Sequence, residues 1–434
     1  MNVNISNCDR REFLKTSLLG SAFLTLPSVL SLPLARASTR NNPFLTPDVE
    51  ILLKAAPKEV SLLSGLPTKS LCYDAQILKG ASPVISNFSG YMGPLLRLKQ
   101  GQKVRIRFQN DIPEKSIIHW HGLHLPEAMD SHPSYAVETG NSFVYEFTVE
   151  QRPGFYWYHP HPHGRTAFQI YHGLAGMIVI ESNEEARIGL PTDEFDLPFC
   201  IQDRLFDDQN QFSYLPNGGH DLMMGMMGDT LILNGEKRTD QDVLQDVYRI
   251  RLLNASNARF YKLAWSDGEP LQIIGTDGGL LEQPIERPYL YLAPGERLEL
   301  FRSFRNSPIG DKVELQSIPF QEGRGSSFTV IPFNVAGPGK TNKHLPSQLM
   351  TVEKLDPVDA VNYGSPKKFV MEMKRGKGWT IDGLTYEMKT SRPKETVKLG
   401  TMELWEFESK GMMAMPHPVH IHGSQFQVVS RSGT

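Results

Sequence analysis

Residues 155–164 read Phe-Tyr-Trp-Tyr-His-Pro-His-Pro-His-Gly. Side chains alternate along a strand, so His159 and His161 point to one face while Pro160 turns to the other. Pro160 and Pro162 each remove a ladder donor, which suits the end or irregular edge of a strand. The same spacing recurs at His119-Trp120-His121, and a third group reads His417-Pro-Val-His420-Ile-His422. Pairs of this kind, brought together from separate segments, can surround a metal cluster. Neutral imidazole suits copper, zinc, iron and nickel alike, so ligand type alone does not choose among them.

Outward from these groups the chain reads as β. Val104–Phe108, Phe143–Phe147, Tyr248–Leu252 and Arg297–Phe301 alternate, or nearly so, as half-buried strands do. Met177-Ile-Val-Ile180 is a continuous apolar run, suited to a strand covered on both faces. The 36 glycines and 31 prolines mark many turns, and no long stretch keeps a helical period. This pattern predicts β-sandwiches or barrels. The expected units are a first domain over 41–182, a second over 183–334, and a third over 344–434 that is incomplete. The segment Ala336–Lys343 is polar and rich in breakers, as an interdomain linker would be.

A formal net charge of −3, without long runs of like charge, gives no reason to expect nucleic acid as a partner. Residues 1–37 carry Arg10-Arg11 ahead of an apolar stretch from Leu18 to Leu34, then Ala35-Arg36-Ala37. That is the pattern of a cleaved twin-arginine signal peptide, and it predicts passage through the twin-arginine export machinery to the periplasm. The stretch holds Gly20, Pro27 and Pro33, which makes it a poor membrane helix; an uncleaved anchor is the alternative. No stable membrane span is expected after processing. Cys72 and Cys200 are the only cysteines of the mature chain, so this is no disulfide scaffold, although one bridge is permissible. Cys200 reads as a small buried side chain in a core strand.

Ile118-His-Trp-His-Gly-Leu-His124, Phe155–Gly164 and Met415-Pro-His-Pro-Val-His-Ile-His-Gly423 resemble the first three copper motifs of the multicopper oxidases. The likeness extends through Gly173–Ile180, Leu253–Arg259 and Thr276–Leu280, in the style of bacterial laccases and copper-efflux oxidases. It implies an all-β chain of three cupredoxin-like Greek-key β-sandwich domains. It also implies copper: a type 1 ion that accepts electrons from substrate and a cluster that reduces dioxygen to water. By position, His119 and His420 would bind type 2 copper. His121, His159, His161 and His422 would supply type 3 ligands, and His417 one type 1 ligand. Asp130 stands where family members keep an acid thought to help deliver protons; its plainer reading is a turn residue. Met415 matches a methionine that helps bind a cuprous substrate in copper-efflux oxidases, and Met413 stands where those enzymes carry an acid. Both methionines also suit simple packing. The reducing substrate is thus expected to be a phenol or Cu(I).

The family's fourth motif, His-Cys-His, has no counterpart here, since no cysteine is flanked by histidines. The thiolate gives the type 1 site its electronic character, and its flanking histidines carry electrons to the cluster. The expectation is therefore a multicopper oxidase represented by a fragment that lacks turnover as it stands. The alternative is a non-catalytic copper-binding or structural cupredoxin protein of the periplasm.

Overall fold

The computed structural model describes residues 46–434 apart from 81–83, 238–239, 321–326, 412–415 and 432–434. The twin-arginine segment, Met413 and Met415 lie outside the described residues. The fold is nearly all β; among the described residues its α-helices are one or two turns long, and none is long and apolar enough to cross a membrane.

Nine strands form the first part of the chain. They are β1 (Val49–Val60), β2 (Thr68–Lys79), β3 (Ile85–Ser86), β4 (Leu95–Lys99) and β5 (Lys103–Asn110), then β6 (Ile118–His121), β7 (Ser142–Thr148), β8 (Gly154–Pro160) and β9 (Gly176–Glu181). They make two sheets, ordered β2-β1-β5-β7 and β3-β4-β9-β8-β6. Parallel pairing of β1 with β5 and of β4 with β9 shows that the chain crosses between the sheets rather than meandering within one. One core fills the space between them. Ile51, Ile106 and Tyr145 come from the first sheet, and Leu96, Trp120, Tyr158 and Ile178 from the second.

The next part repeats the plan with β10 (Asp196–Arg204), β11 (Thr230–Leu233), β12 (Gln241–Leu244), β13 (Val247–Asn254), β14 (Tyr261–Trp265) and β15 (Leu271–Thr276). It continues with β16 (Gly279–Arg287), β17 (Leu290–Leu292), β18 (Arg297–Ser303), β19 (Lys312–Ser317) and β20 (Phe328–Gly337). A six-stranded sheet, β11-β10-β13-β18-β15-β16, packs on a five-stranded one, β12-β20-β19-β14-β17, around Ile250, Leu263, Leu300 and Phe333. A separate apolar cluster joins the two sandwiches: Phe155, Trp157 and Met177 from the first meet Cys200, Leu253 and Ala255 from the second. Burial on both faces is what the run at 177–180 predicted, and Cys200 is a free, buried thiol as expected. Cys72 is also free, so no bridge forms between the two.

The last described strands are β21 (Lys367–Lys374), β22 (Gly378–Ile381) and β23 (Trp405–Lys410), which form a small sheet ordered β22-β21-β23. Beyond them residues 416–431 hold a turn at 422–423 and no ladder pairing.

One expectation is corrected. Tyr248–Leu252 and Arg297–Phe301 were expected to be half-buried, yet Arg249, Arg251, Arg297 and Glu299 are all below 5% exposed. Alternation names the inner face of a strand but cannot say what covers the outer one. Here the outer face lies under residues 185–196 and the first sandwich. Arg249 reaches Glu185 at 2.5 Å and Glu299 at 2.6 Å; Arg251 reaches Asp196 at 2.7 Å and Glu299 at 3.0 Å. Arg97 of β4 adds a bond to Asp196 at 3.2 Å, so the network ties the two sandwiches together. Each charge is tolerated because a partner and several hydrogen bonds offset its desolvation.

Candidate metal centre

Strands β6 and β8 pair antiparallel, placing His119 opposite His159 and Trp120 opposite Tyr158. Cross-strand partners share a face, so one face of this ribbon carries imidazoles and the other carries aromatic core. His121 follows on the imidazole face, and His161 sits just past the end of β8, its backbone N–H bonded to the Ile117 carbonyl at 2.8 Å. The 416–431 segment brings the third group. Gln425 Nε2 donates to the Gly122 carbonyl at 2.7 Å, and Gln427 donates to the Glu353 carbonyl at 2.5 Å.

Six of the seven expected histidines converge. His119 Nε2 lies 3.1 Å from His420 Nε2, and His121 Nδ1 lies 3.3 Å from His159 Nε2. The His161 and His422 rings are 5.0 Å apart. His420 stacks on His121 at 3.7 Å, and His422 on His119 at 3.8 Å. His417 is not part of this group: its ring packs edge-on against Trp379 at 4.9 Å.

Hydrogen bonds from the far side of three of the rings fix which nitrogen faces inward. His119 Nδ1 lies 3.1 Å from the Asp130 carbonyl, and His422 Nδ1 lies 3.0 Å from Asp130 Oδ2. His159 Nδ1 lies 2.9 Å from the Pro160 carbonyl. Oxygen acceptors require N–H at these three positions, which leaves each Nε2 as a lone pair. Asp130 therefore does two things, ending the 3₁₀ turn Glu127–Met129 and orienting two histidines.

Burial keeps the rings neutral. It pushes His119 below the ordinary histidine value, His121 and His159 well below it, His161 down to about 4 and His420 to about 2. Neighbouring imidazoles push the same way, and the Arg297 guanidinium adds to the effect at His121 and His420. Burial alone lowers His417. Burial would raise the Asp130 carboxyl, but hydrogen bonds from His119 and His422 outweigh it and hold the group well below the usual carboxylate range.

This donor set fits a first-row metal. Two nitrogens bound about 2 Å from one such ion lie roughly 3 Å apart, as the close pairs here do. Ligand imidazoles must be neutral and are oriented by an outer hydrogen bond. Burial favours the neutral ring at His119, His121, His159, His161 and His420, and His119, His159 and His422 make the outer bond. His161 Nδ1 is buried with no hydrogen-bond partner among the described residues, as a group awaiting a ligand would be. The groups His119–His121–His420 and His119–Asp130–His422 each bring their ligand atoms within 4.8 Å of one another.

Sequence reading missed four contributors. Trp379 abuts His417 and donates to the Met223 carbonyl at 3.1 Å. Arg297, held by Asp277 at 2.6 Å, places a cation near the rings. Gln425 and Gln427 anchor the third group; their spacing of two was the available signal.

Comparison with known proteins agrees with this geometry. Two family models described as multicopper oxidase match residues 73–185 and 361–434. A multicopper oxidase of Staphylococcus haemolyticus is 32% identical over 354 residues, spanning 80% of this chain and 72% of the relative. A cell division protein FtsP of Xenorhabdus nematophila is 30% identical over 358 residues, with coverage of 79% and 72%. The crystal structure of the McoA multicopper oxidase of Aquifex aeolicus superposes with a TM-score of 0.68 at 34% identity, covering 78% of this chain and 72% of that one. Imidazoles paired from three distant segments on a cupredoxin-like scaffold, with this degree of likeness, make the chain a member of the multicopper oxidase family.

Proposed function

We propose that the protein is an exported copper oxidoreductase that couples one-electron oxidation of a phenol or Cu(I) to reduction of dioxygen to water. The observation that carries the reading is the convergence of six imidazoles from three segments. His119 and His420 are assigned to type 2 copper, and His121, His159, His161 and His422 to the type 3 pair. Copper held there would supply one-electron redox chemistry and a place for dioxygen to bind. The protein's own share is orientation and exclusion of water. Asp130 accepts from His119 and His422 and so presents their Nε2 atoms inward. Asp130 is also the residue proposed to pass protons inward. His417, beside Trp379, is assigned to the type 1 site, where electrons from the reductant would enter; Met413 and Met415 are assigned to the substrate side of that site.

No cysteine in these 434 residues is flanked by histidines, so the thiolate route from type 1 site to cluster is not among them. Copper binding is therefore assigned to the chain as given, and turnover to a form that also carries a His-Cys-His segment. The test loads residues 38–434 with copper, alongside a form extended through any following reading frame. The short form is expected to hold cluster copper, seen by metal analysis and a type 2 paramagnetic signal, without the intense blue thiolate band. Only the extended form is expected to consume oxygen with phenols or Cu(I). Failure of the short form to retain copper, or its robust turnover, would sink the assignment. Export is checked separately: replacing Arg10-Arg11 by Lys-Lys should stop the protein reaching the periplasm.

A further inference from the structure

A cleft of about 460 Å³ opens beside the cluster, and Asp130, His161 and His422 line its inner end. His132, His163 and Tyr386 line its outer part. Of the six converging rings, His119, His121 and His159 are under a tenth exposed, whereas His420 and His422 are exposed. Of the two exposed rings, His422, whose side chain is 34% exposed, is the one that lines this cleft.

The mouth is bridged by one contact. Tyr386, from the excursion between β22 and β23, places its hydroxyl 3.1 Å from His132 Nε2, while its ring packs 5.5 Å from His163. His132 is fixed from behind. The Ser134 backbone N–H donates to its Nδ1 at 3.3 Å, so Nε2 carries the proton that Tyr386 accepts. Ser131, at φ 70 and fully buried, bonds the Ile118 carbonyl and anchors the loop at the root of β6. Tyr386 is different: it is 56% exposed. One side of the contact is anchored beside a buried residue and the other stands at the surface.

We propose that this cleft is the route by which copper enters and leaves the six-histidine cluster, and that the His132–Tyr386 hydrogen bond is its latch. The proposal rests on the copper-binding reading above. Imidazole, phenol and carboxylate groups along the walls suit a borderline divalent cation passed from donor to donor.

The test follows copper loss from the copper-loaded full chain to excess EDTA in wild type, Tyr386→Phe, Tyr386→Ala and His132→Ala. The first variant removes only the latch bond; the second also opens the mouth. Release is expected to be roughly three- to tenfold faster in Tyr386→Phe, as loss of one hydrogen bond allows, and at least as fast in the other two. Copper content at saturation and the urea midpoint should not change. Equal release rates with normal copper content would overturn the latch, showing that metal leaves over the outer side of the His420 segment or through unfolding. A chain that takes up no copper would overturn the binding reading and the latch together.

Discussion

His422 Nδ1 donates to Asp130 Oδ2 across 3.0 Å, joining residues 292 positions apart. The same Asp130 accepts from His119 through its backbone carbonyl at 3.1 Å. One residue thus sets the orientation of imidazoles from the first and third groups, and it does so from outside the ring of inward-facing nitrogens.

Asp130→Ala should therefore leave the fold intact and loosen the metal. Outer-sphere partners of ligand histidines are typically worth roughly 10–100-fold in metal affinity. Titration with a competing copper chelator should show a loss in that range; an unchanged affinity would reduce Asp130 to a turn residue.

The metal-free chain should lose stability as pH falls below neutrality. His161 and His420 sit at about 4 and about 2 in the folded chain, against 6.5 for an ordinary histidine. Between those values the unfolded chain binds protons that the folded chain refuses, so stability is fully present above about 6.5 and falls with acid. Asp130, depressed when folded, adds a second loss that begins near 3.8. Urea midpoints at pH 7.5, 6 and 5 should fall in order, with a total on the order of 2 kcal/mol or more between the extremes. Bound copper should flatten this dependence.

Glu299→Gln removes the negative charge shared by Arg249 and Arg251 at the centre of the buried network. Breaking a buried pair from one side leaves an uncompensated charge, and the expected cost is about 3–5 kcal/mol. Glu299 pairs with Arg249 and Arg251 rather than with any of the six histidines, so urea unfolding should register the loss while copper per folded chain stays the same.

The double variant Gln425→Ala, Gln427→Ala removes the side-chain bonds that hold the third histidine group against Gly122 and Glu353. At roughly 1 kcal/mol each, these bonds set how firmly His420 and His422 are presented. Copper retained after gel filtration should fall below the wild-type value, while the urea midpoint of the two sandwiches stays within experimental scatter.

Much of the first two histidine groups was legible because their logic is local. A spacing of two on a strand fixes a shared face, and β6 and β8 are neighbouring strands of one sheet. The position of His420 and His422 depends on contacts with Gly122 and Asp130 some 300 residues away, and short-range pattern carries no such information. The same limit applies to Arg249 and Arg251: their alternation was correct, but their cover comes from residues 185–196. The His132–Tyr386 contact joins residues 254 positions apart, which short-range pattern cannot show either.

Trp120 stands between two candidate ligands and is itself fully buried among Tyr145 and Tyr158. A single strand four residues long thus has a metal side and an oil side. Neither side forms without the other, because the register that seats Trp120 is the register that aims His119 and His121. Metal capture consequently doubles as an inspection step. A chain whose first sandwich is misaligned by one residue would turn its imidazoles into the core and hold no copper, so occupancy certifies that folding has finished. Where a protein crosses a membrane already folded, as proposed for this one, the certificate would be issued before departure.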